Sequence, residues 1–149
     1  MTKQALLIPS IIFLLCIACH SATRDYTHAI IHHTASPDWP VERLRKIHVE
    51  ERGWDDVGYH FCIRADGTVE KGRDLHKQGA HAKGRNQFTG IVLTGYDTFT
   101  NQQIKALKDL LRNLGVRSIE EHHEKCAGRG LNLKEIANDV GINYVGRGW

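Results

Sequence analysis

The chain has 149 residues, which is enough for one domain of ordinary size. Its 41% hydrophobic and 25% charged residues are typical of a globular protein and exclude a disordered tail or a fibre. The net charge of +3 is too small to indicate a nucleic-acid partner, and the sequence has no run of Lys and Arg with interleaved aromatic residues. We therefore expect one globular domain and no nucleic-acid partner.

The first 22 residues have the pattern of an export signal. Lys3 precedes an apolar stretch at residues 5–18, which is shorter than the ~20 residues that a transmembrane helix needs. Small residues follow, and Cys19 stands where a bacterial lipoprotein signal has its acylated cysteine. Lipidation of Cys19, plain secretion and an uncleaved anchor are the alternatives. Each predicts that residues 23–149 form a domain that is exported to the periplasm or secreted.

The first half of this domain predicts three strands and one helix. Residues 28–34 form a short apolar run that ends in polar residues, which is typical of a buried strand. Residues 38–52 predict a helix, with Pro40 near its first turn and Gly53 as its stop. A strand follows at residues 59–64, a hairpin turn at 65–68 and the returning strand at 69–71.

The second half predicts two strands and two helices. A polar, glycine-rich stretch at residues 79–90 predicts a loop before a central strand at 91–94. Thr100 caps a helix whose apolar residues keep a 3.6-residue period until Gly115 ends it. A last strand, a short helix and a tail without an assignable pattern lie at residues 118–121, 133–140 and 143–149. The order predicts a single α/β domain with a mixed central β-sheet flanked by helices.

Two histidine motifs, one near each end of the domain, are candidates for a metal site. The first is Ile30-Ile31-His32-His33-Thr34 on a predicted strand, and the second is His122-His123-Glu124-Lys125-Cys126. Two imidazoles and one thiolate provide three ligands for a tetrahedral Zn²⁺ and leave the fourth position for water. Neighbouring side chains on a strand point to opposite faces, so one histidine of each pair can reach the ion.

Other histidines and a second cysteine leave alternatives open. A structural zinc site would need a fourth protein ligand, and six further histidines are available: His20, His28, His48, His60, His76 and His81. His48 lies on the apolar side of a predicted helix, which favours a core histidine. His81 can complete the metal site, line a cleft or have no role. Cys62 is predicted as a small core residue, and a Cys62–Cys126 disulfide is the alternative for an exported domain.

Five motifs occur in unbroken order between Thr27 and Cys126. They are IHHTA at residues 31–35, WDDVGYHF at 54–61, DGTV at 66–69, GAHAKG at 79–84 and HHE at 122–124. In this order they resemble the zinc-dependent N-acetylmuramoyl-L-alanine amidases of type 2, which include bacteriophage lysozyme-type amidases and the catalytic peptidoglycan recognition proteins. The resemblance covers most of the domain, and the five motifs together make it specific.

The resemblance implies a fold, a cofactor, a substrate and site residues. The fold would be a mixed sheet flanked by helices, with Zn²⁺ in a cleft. The substrate would be peptidoglycan, cleaved at the amide between the lactyl group of N-acetylmuramic acid and L-alanine of the stem peptide. The metal ligands would be His32, His122 and Cys126. Tyr59 and Lys125 would be catalytic, and His81 is expected to bind substrate.

Some features depart from the family pattern. Only three residues separate His122 from Cys126, fewer than in the phage-type enzymes, and Lys125 directly precedes the cysteine instead of lying two positions before it. Ala127 replaces a common proline, and Val92 stands where some members have an acidic residue. A non-catalytic peptidoglycan-binding module and a cysteine peptidase using one of the two thiols are therefore the alternatives. We expect a monomer, and the sequence identifies no immunity or inhibitor protein.

Overall fold

The computed structural model describes residues 24–123 and 126–147. The export signal predicted for residues 1–22 and the candidate catalytic residue Lys125 lie outside this part of the chain. Within it, no helix is both long enough and apolar enough to cross a membrane.

Within the described residues, six strands form one mixed sheet. They are β1 (Asp25–His33), β2 (Phe61–Ile63), β3 (Val69–Lys71), β4 (Phe88–Leu93), β5 (Ser118–Glu121) and β6 (Asn143–Arg147). Their order across the sheet is β3-β2-β4-β1-β5-β6, and every neighbouring pair is parallel except the β2–β3 hairpin. The predicted α/β domain with a mixed central sheet is confirmed.

In the same described part of the chain, three α-helices connect and cover the strands. They are α1 (Val41–Lys46), α2 (Asn101–Asn113) and α3 (Leu133–Val140). The predicted Thr100 cap of α2 is confirmed, because its hydroxyl accepts from the Gln103 N–H while the Gln103 side chain accepts from the Thr100 N–H. The helix predicted at residues 38–52 is an α-helix only through Lys46, and a π-helical turn continues it from Ile47 to Glu51.

The central strands β1 and β4 are buried on both faces, as parallel strands covered by helices usually are. On one face, Ile31 and Ile91 belong to the main core with Leu107 and Leu111 of α2. On the other face a smaller cluster contains Val41, Leu44, Val57, Cys62 and Val92, with Tyr59 packed against it. His32 pairs with Val92 in the β1–β4 register, which puts both side chains on the face of this smaller cluster.

The sequence prediction for the start of β4 is wrong. Residues 88–90, predicted as the end of a loop, are the beginning of β4, because Thr89 and Gly90 interrupt the apolar pattern although both are buried. The tail from Asn143, which has no assignable pattern in the sequence, forms the edge strand β6. Its pattern is weak because Val145 is exposed and Gly146 has φ +90° where the β5–β6 register shifts.

Candidate metal centre

The two histidine motifs meet at the carboxyl ends of the adjacent parallel strands β1 and β5. His32 is the next-to-last residue of β1, and His122 directly follows β5, where its N–H donates to the Ile31 carbonyl at 3.4 Å. The loop after His122 then returns to the same place, because the His33 N–H donates to the Cys126 carbonyl at 3.1 Å. The carboxyl ends of parallel strands are where α/β sheets usually bind ligands.

The three predicted metal ligands converge. One nitrogen of His32, one nitrogen of His122 and the Cys126 Sγ lie within 4.8 Å of one another. The His32 Nδ1 is 3.5 Å from the Cys126 Sγ. A tetrahedral zinc ion with ordinary Zn–N and Zn–S bonds separates such a pair by about 3.6 Å. Donor chemistry and spacing therefore both fit Zn²⁺, and His32, His122 and Cys126 are the residues that would hold it.

The surroundings make the two imidazoles neutral at physiological pH. Burial lowers the pKa of His32 well below its usual value, and nearby imidazoles lower it further. Burial also lowers the pKa of His122, with His123 as the next cause. Burial raises the pKa of the Cys126 thiol instead, so this group gives up its proton only beside a cation. His123 is exposed, and neither it nor His33 belongs to the converging set.

Tyr59 lies beside the candidate ligands. Its ring centroid is 5.1 Å from that of His32 and 5.7 Å from that of His48. Burial raises the Tyr59 pKa to about 12, and the neighbouring Cys126 adds to the effect. Among the described residues, no group forms a hydrogen bond with its hydroxyl. This hydroxyl therefore stays protonated at neutral pH and can donate to a bound molecule.

His81 lies behind His32 and does not belong to the converging set. Its Nδ1 is 3.1 Å from the His32 Nε2, on the opposite side of the His32 ring from the nitrogen that faces Cys126. Its Nε2 is 3.2 Å from the Phe88 carbonyl oxygen, and the side chain is buried. Burial lowers the His81 pKa to about 3. The ring thus contacts a candidate ligand directly.

The sequence reasoning missed an ion pair that holds the turn carrying His122. Arg85 forms an ion pair with Glu120 through Nη1 and donates from Nη2 to the His122 carbonyl at 3.0 Å. The Glu120 carboxylate also lies 3.4 Å from the His28 Nε2. The sequence feature that could have revealed this ion pair is Glu120, because an acidic residue in a buried position of a strand needs a partner.

The remaining candidate residues have structural partners. Cys62 and Cys126 are both free, so the disulfide alternative is wrong. Cys62 is fully buried in an apolar cluster, as predicted for a core residue, and burial raises its pKa to about 12. His48 is confirmed as a core histidine, since its Nδ1 accepts from the Gly58 N–H at 3.0 Å. His60 accepts from the Gly90 N–H and donates to the Lys77 carbonyl.

Comparisons with known proteins agree with this site. Residues 22–133 match the family described as N-acetylmuramoyl-L-alanine amidase. The chain is 45% identical to the endolysin of Klebsiella phage KP32 in a 92-residue alignment that covers 56% of this chain and 60% of that protein. It is 40% identical to the endolysin of Escherichia phage T7 in a 118-residue alignment that covers 68% of this chain and 78% of that protein.

A solved structure with the same fold is the N-acetylmuramoyl-L-alanine amidase LysC from Clostridium intestinale URNW, with a TM-score of 0.72 and 29% identity. The match covers 79% of this chain and 89% of LysC. The family match extends over about three quarters of the sequence and includes all three converging residues. The chain therefore belongs to the N-acetylmuramoyl-L-alanine amidase family.

Proposed function

We propose that the chain is a zinc-dependent amidase that cleaves peptidoglycan between N-acetylmuramic acid and L-alanine of the stem peptide. The observation that carries this proposal is the convergence of His32, His122 and Cys126 in a member of the amidase family. Three protein ligands with an open fourth position are typical of catalytic zinc sites, whereas structural sites have four. The endolysin and amidase relatives support the same reaction.

A bound zinc ion would lower the pKa of water to about 7 and polarise the amide carbonyl, which makes hydrolysis possible near neutral pH. The chain's part is to hold that ion in one geometry. His32 and His122 offer neutral nitrogens, because burial keeps their pKa low. Cys126 must give up a proton to bind, so metal affinity will depend on pH.

Tyr59 is proposed as the residue that stabilises negative charge on the amide oxygen. Its ring lies beside that of His32, and its hydroxyl is protonated and has no competing partner among the described residues. Lys125 directly precedes Cys126 in sequence, and we propose that its ammonium group adds positive charge at the same oxygen. For the proton that the leaving amine needs, Tyr59 and Glu124 are the candidates.

We also propose that the domain acts outside the cytoplasm, where peptidoglycan is found. The support is the sequence pattern of residues 1–22, with Cys19 as the candidate lipid attachment site. Cell fractionation with labelled palmitate tests this. Export with label that disappears in Cys19→Ser supports a lipoprotein, export without label supports plain secretion, and retention in the cytoplasm contradicts the proposal.

The function is tested by mass analysis of products from purified peptidoglycan, with and without a metal chelator. The amidase reaction releases free stem peptides that begin with L-alanine, stops in chelator and resumes when zinc is added back. Release that continues in chelator would favour a cysteine peptidase, although both thiols have a raised pKa and are poor nucleophiles. Binding to sacculi without release would identify a non-catalytic module.

A further inference from the structure

The His81 ring occupies a space that two glycines leave open. A Cβ added at Gly79 or at Gly90 would lie 2.4 Å from the His81 Cδ2, which is far inside van der Waals contact. Neither glycine has a positive φ, so backbone conformation does not require glycine at either position. Clearance for the imidazole is the requirement that both positions share. The fold thus holds this ring between two stretches of backbone, one in the loop and one in β4.

The loop that carries His81 is fastened by its own residues. The Asn86 Oδ1 accepts hydrogen bonds from the N–H groups of His81 and Ala82, each at 2.8 Å. The Gly79 N–H donates to the Asn86 carbonyl at 3.0 Å. These bonds close a short loop on itself and fix the backbone at His81. The ring therefore has a fixed position as well as an enclosed one.

The hydrogen bonds of this fixed ring determine where its proton lies. The Phe88 carbonyl, 3.2 Å from the His81 Nε2, can only accept, so this nitrogen carries the proton. The same carbonyl also accepts from the Arg24 Nη1 at 2.9 Å, which anchors it. In a neutral imidazole the other nitrogen is then an acceptor. The His81 Nδ1 is therefore ready to accept a hydrogen bond.

The acceptor on His81 in turn determines the proton position of His32. The two rings meet through the His81 Nδ1 and the His32 Nε2, which are 3.1 Å apart. His32 must donate here, so its proton lies on Nε2 and its lone pair lies on Nδ1. That nitrogen faces the Cys126 Sγ at 3.5 Å. The Phe88 carbonyl thus sets, through two rings, the form of His32 that a metal needs.

We propose that His81 is a positioning residue that orients His32 and keeps its Nδ1 free to bind zinc. The inference rests on the proposed zinc site and goes beyond it, because it places His81 behind a ligand instead of in contact with substrate. Hydrogen-bond partners of metal-bound histidines typically contribute 10- to 100-fold to metal affinity. Loss of the acceptor at His81 should weaken zinc binding by such a factor.

Two variants separate hydrogen bonding from packing. His81→Phe keeps a ring in the space between the glycines and removes the acceptor. His81→Asn loses the ring but can place its amide oxygen where Nδ1 was. Zinc dissociation constants are measured by competition with a chromophoric chelator, and cobalt-loaded proteins are compared by their absorption spectra. We expect 10- to 100-fold weaker zinc binding and an altered cobalt spectrum in His81→Phe, and less than about threefold weakening in His81→Asn.

If His81 acted only by filling space, the zinc affinity of His81→Phe would be closer to that of wild type than the zinc affinity of His81→Asn. This result would overturn the inference. Unchanged zinc affinity in both variants with a raised KM would assign His81 to substrate binding and also overturn it. Thermal unfolding in chelator checks that each variant is folded. A wild-type protein that binds zinc without hydrolysing peptidoglycan contradicts the proposed function only, since the affinities still test His81. A wild-type protein that binds no zinc contradicts both proposals.

Discussion

The Cys126 Sγ lies 3.5 Å from the His32 Nδ1, although 94 residues separate the two along the chain. Parallel pairing of β1 with β5 brings the turn at His122 beside His32, and the His33 N–H then holds the Cys126 carbonyl. The thiol is only partly buried and faces a neutral nitrogen, so no cation in the described part of the chain stabilises a thiolate there. This arrangement favours a thiol that releases its proton to solvent when the sulfur binds a metal ion.

Substitution of Cys126 should abolish zinc binding, whereas substitution of Cys62 should leave it unchanged. Cys126→Ser should lose zinc and amidase activity, because a hydroxyl is a much poorer ligand than a thiolate. Cys62→Ser is the matched control and should keep both, since Cys62 is buried in the apolar cluster beside Val92. Metal analysis after dialysis and release of stem peptides measure the two effects. Zinc and activity retained in Cys126→Ser would remove this residue from the ligand set.

The convergence of His32, His122 and Cys126 could be predicted because the two histidines lie in two of the five motifs and the cysteine follows the last motif closely. Helix α2 could be predicted equally well, since its cap and the period of its apolar residues are local sequence signals. The start of β4 could not be predicted, because Gly90, which leaves space for the His81 ring, weakens the apolar pattern of the strand. The edge strand β6 depends on its pairing with β5, and no local sequence pattern marks that pairing or the π-helical turn after Lys46.

The orientation of the site residues could not be predicted from the sequence either. The spacing allowed either histidine of each pair to bind metal, and in the structure His32 and His122 are the ones that converge with Cys126. His81 was singled out by its motif, but its contact with the back of His32 depends on a loop closed by Asn86. The role of Arg85 could not be predicted from any motif, because it arises from an ion pair with Glu120, 35 residues away in the sequence.

Tyr59→Phe should separate catalysis from zinc binding. Loss of one hydrogen-bond donor to a developing oxyanion typically lowers the rate by about 10²- to 10³-fold. Zinc affinity should stay close to that of wild type, because the hydroxyl contacts none of the three candidate ligands through a hydrogen bond. Stem-peptide release and chelator competition measure the two quantities on the same preparations. Wild-type activity in Tyr59→Phe would show that this hydroxyl takes no part in the reaction.

The Arg85–Glu120 ion pair should stabilise the fold around the metal centre. Arg85→Gln would leave a buried carboxylate without its cation, which typically costs about 3 kcal/mol in free energy of unfolding. The double variant with Glu120→Gln removes the stranded charge and should recover part of this loss. Urea unfolding of the metal-free proteins in a double-mutant cycle gives the coupling energy. Additive effects of the two substitutions would mean that the pair contributes nothing to stability.

Buried neutral histidines should make the metal-free protein sensitive to acid. Burial lowers the pKa of His48 and of His60 to about 4, against about 6.5 in an unfolded chain. Below pH 6.5 the unfolded state therefore binds more protons than the folded state, and stability falls as the pH drops towards 4. Each group contributes at most about 3 kcal/mol to this decline. In His48→Asn, which keeps an acceptor for the Gly58 N–H, the difference in urea stability between pH 7 and pH 4.5 should shrink. The same pH dependence in wild type and variant would show that protonation of His48 does not contribute to acid unfolding.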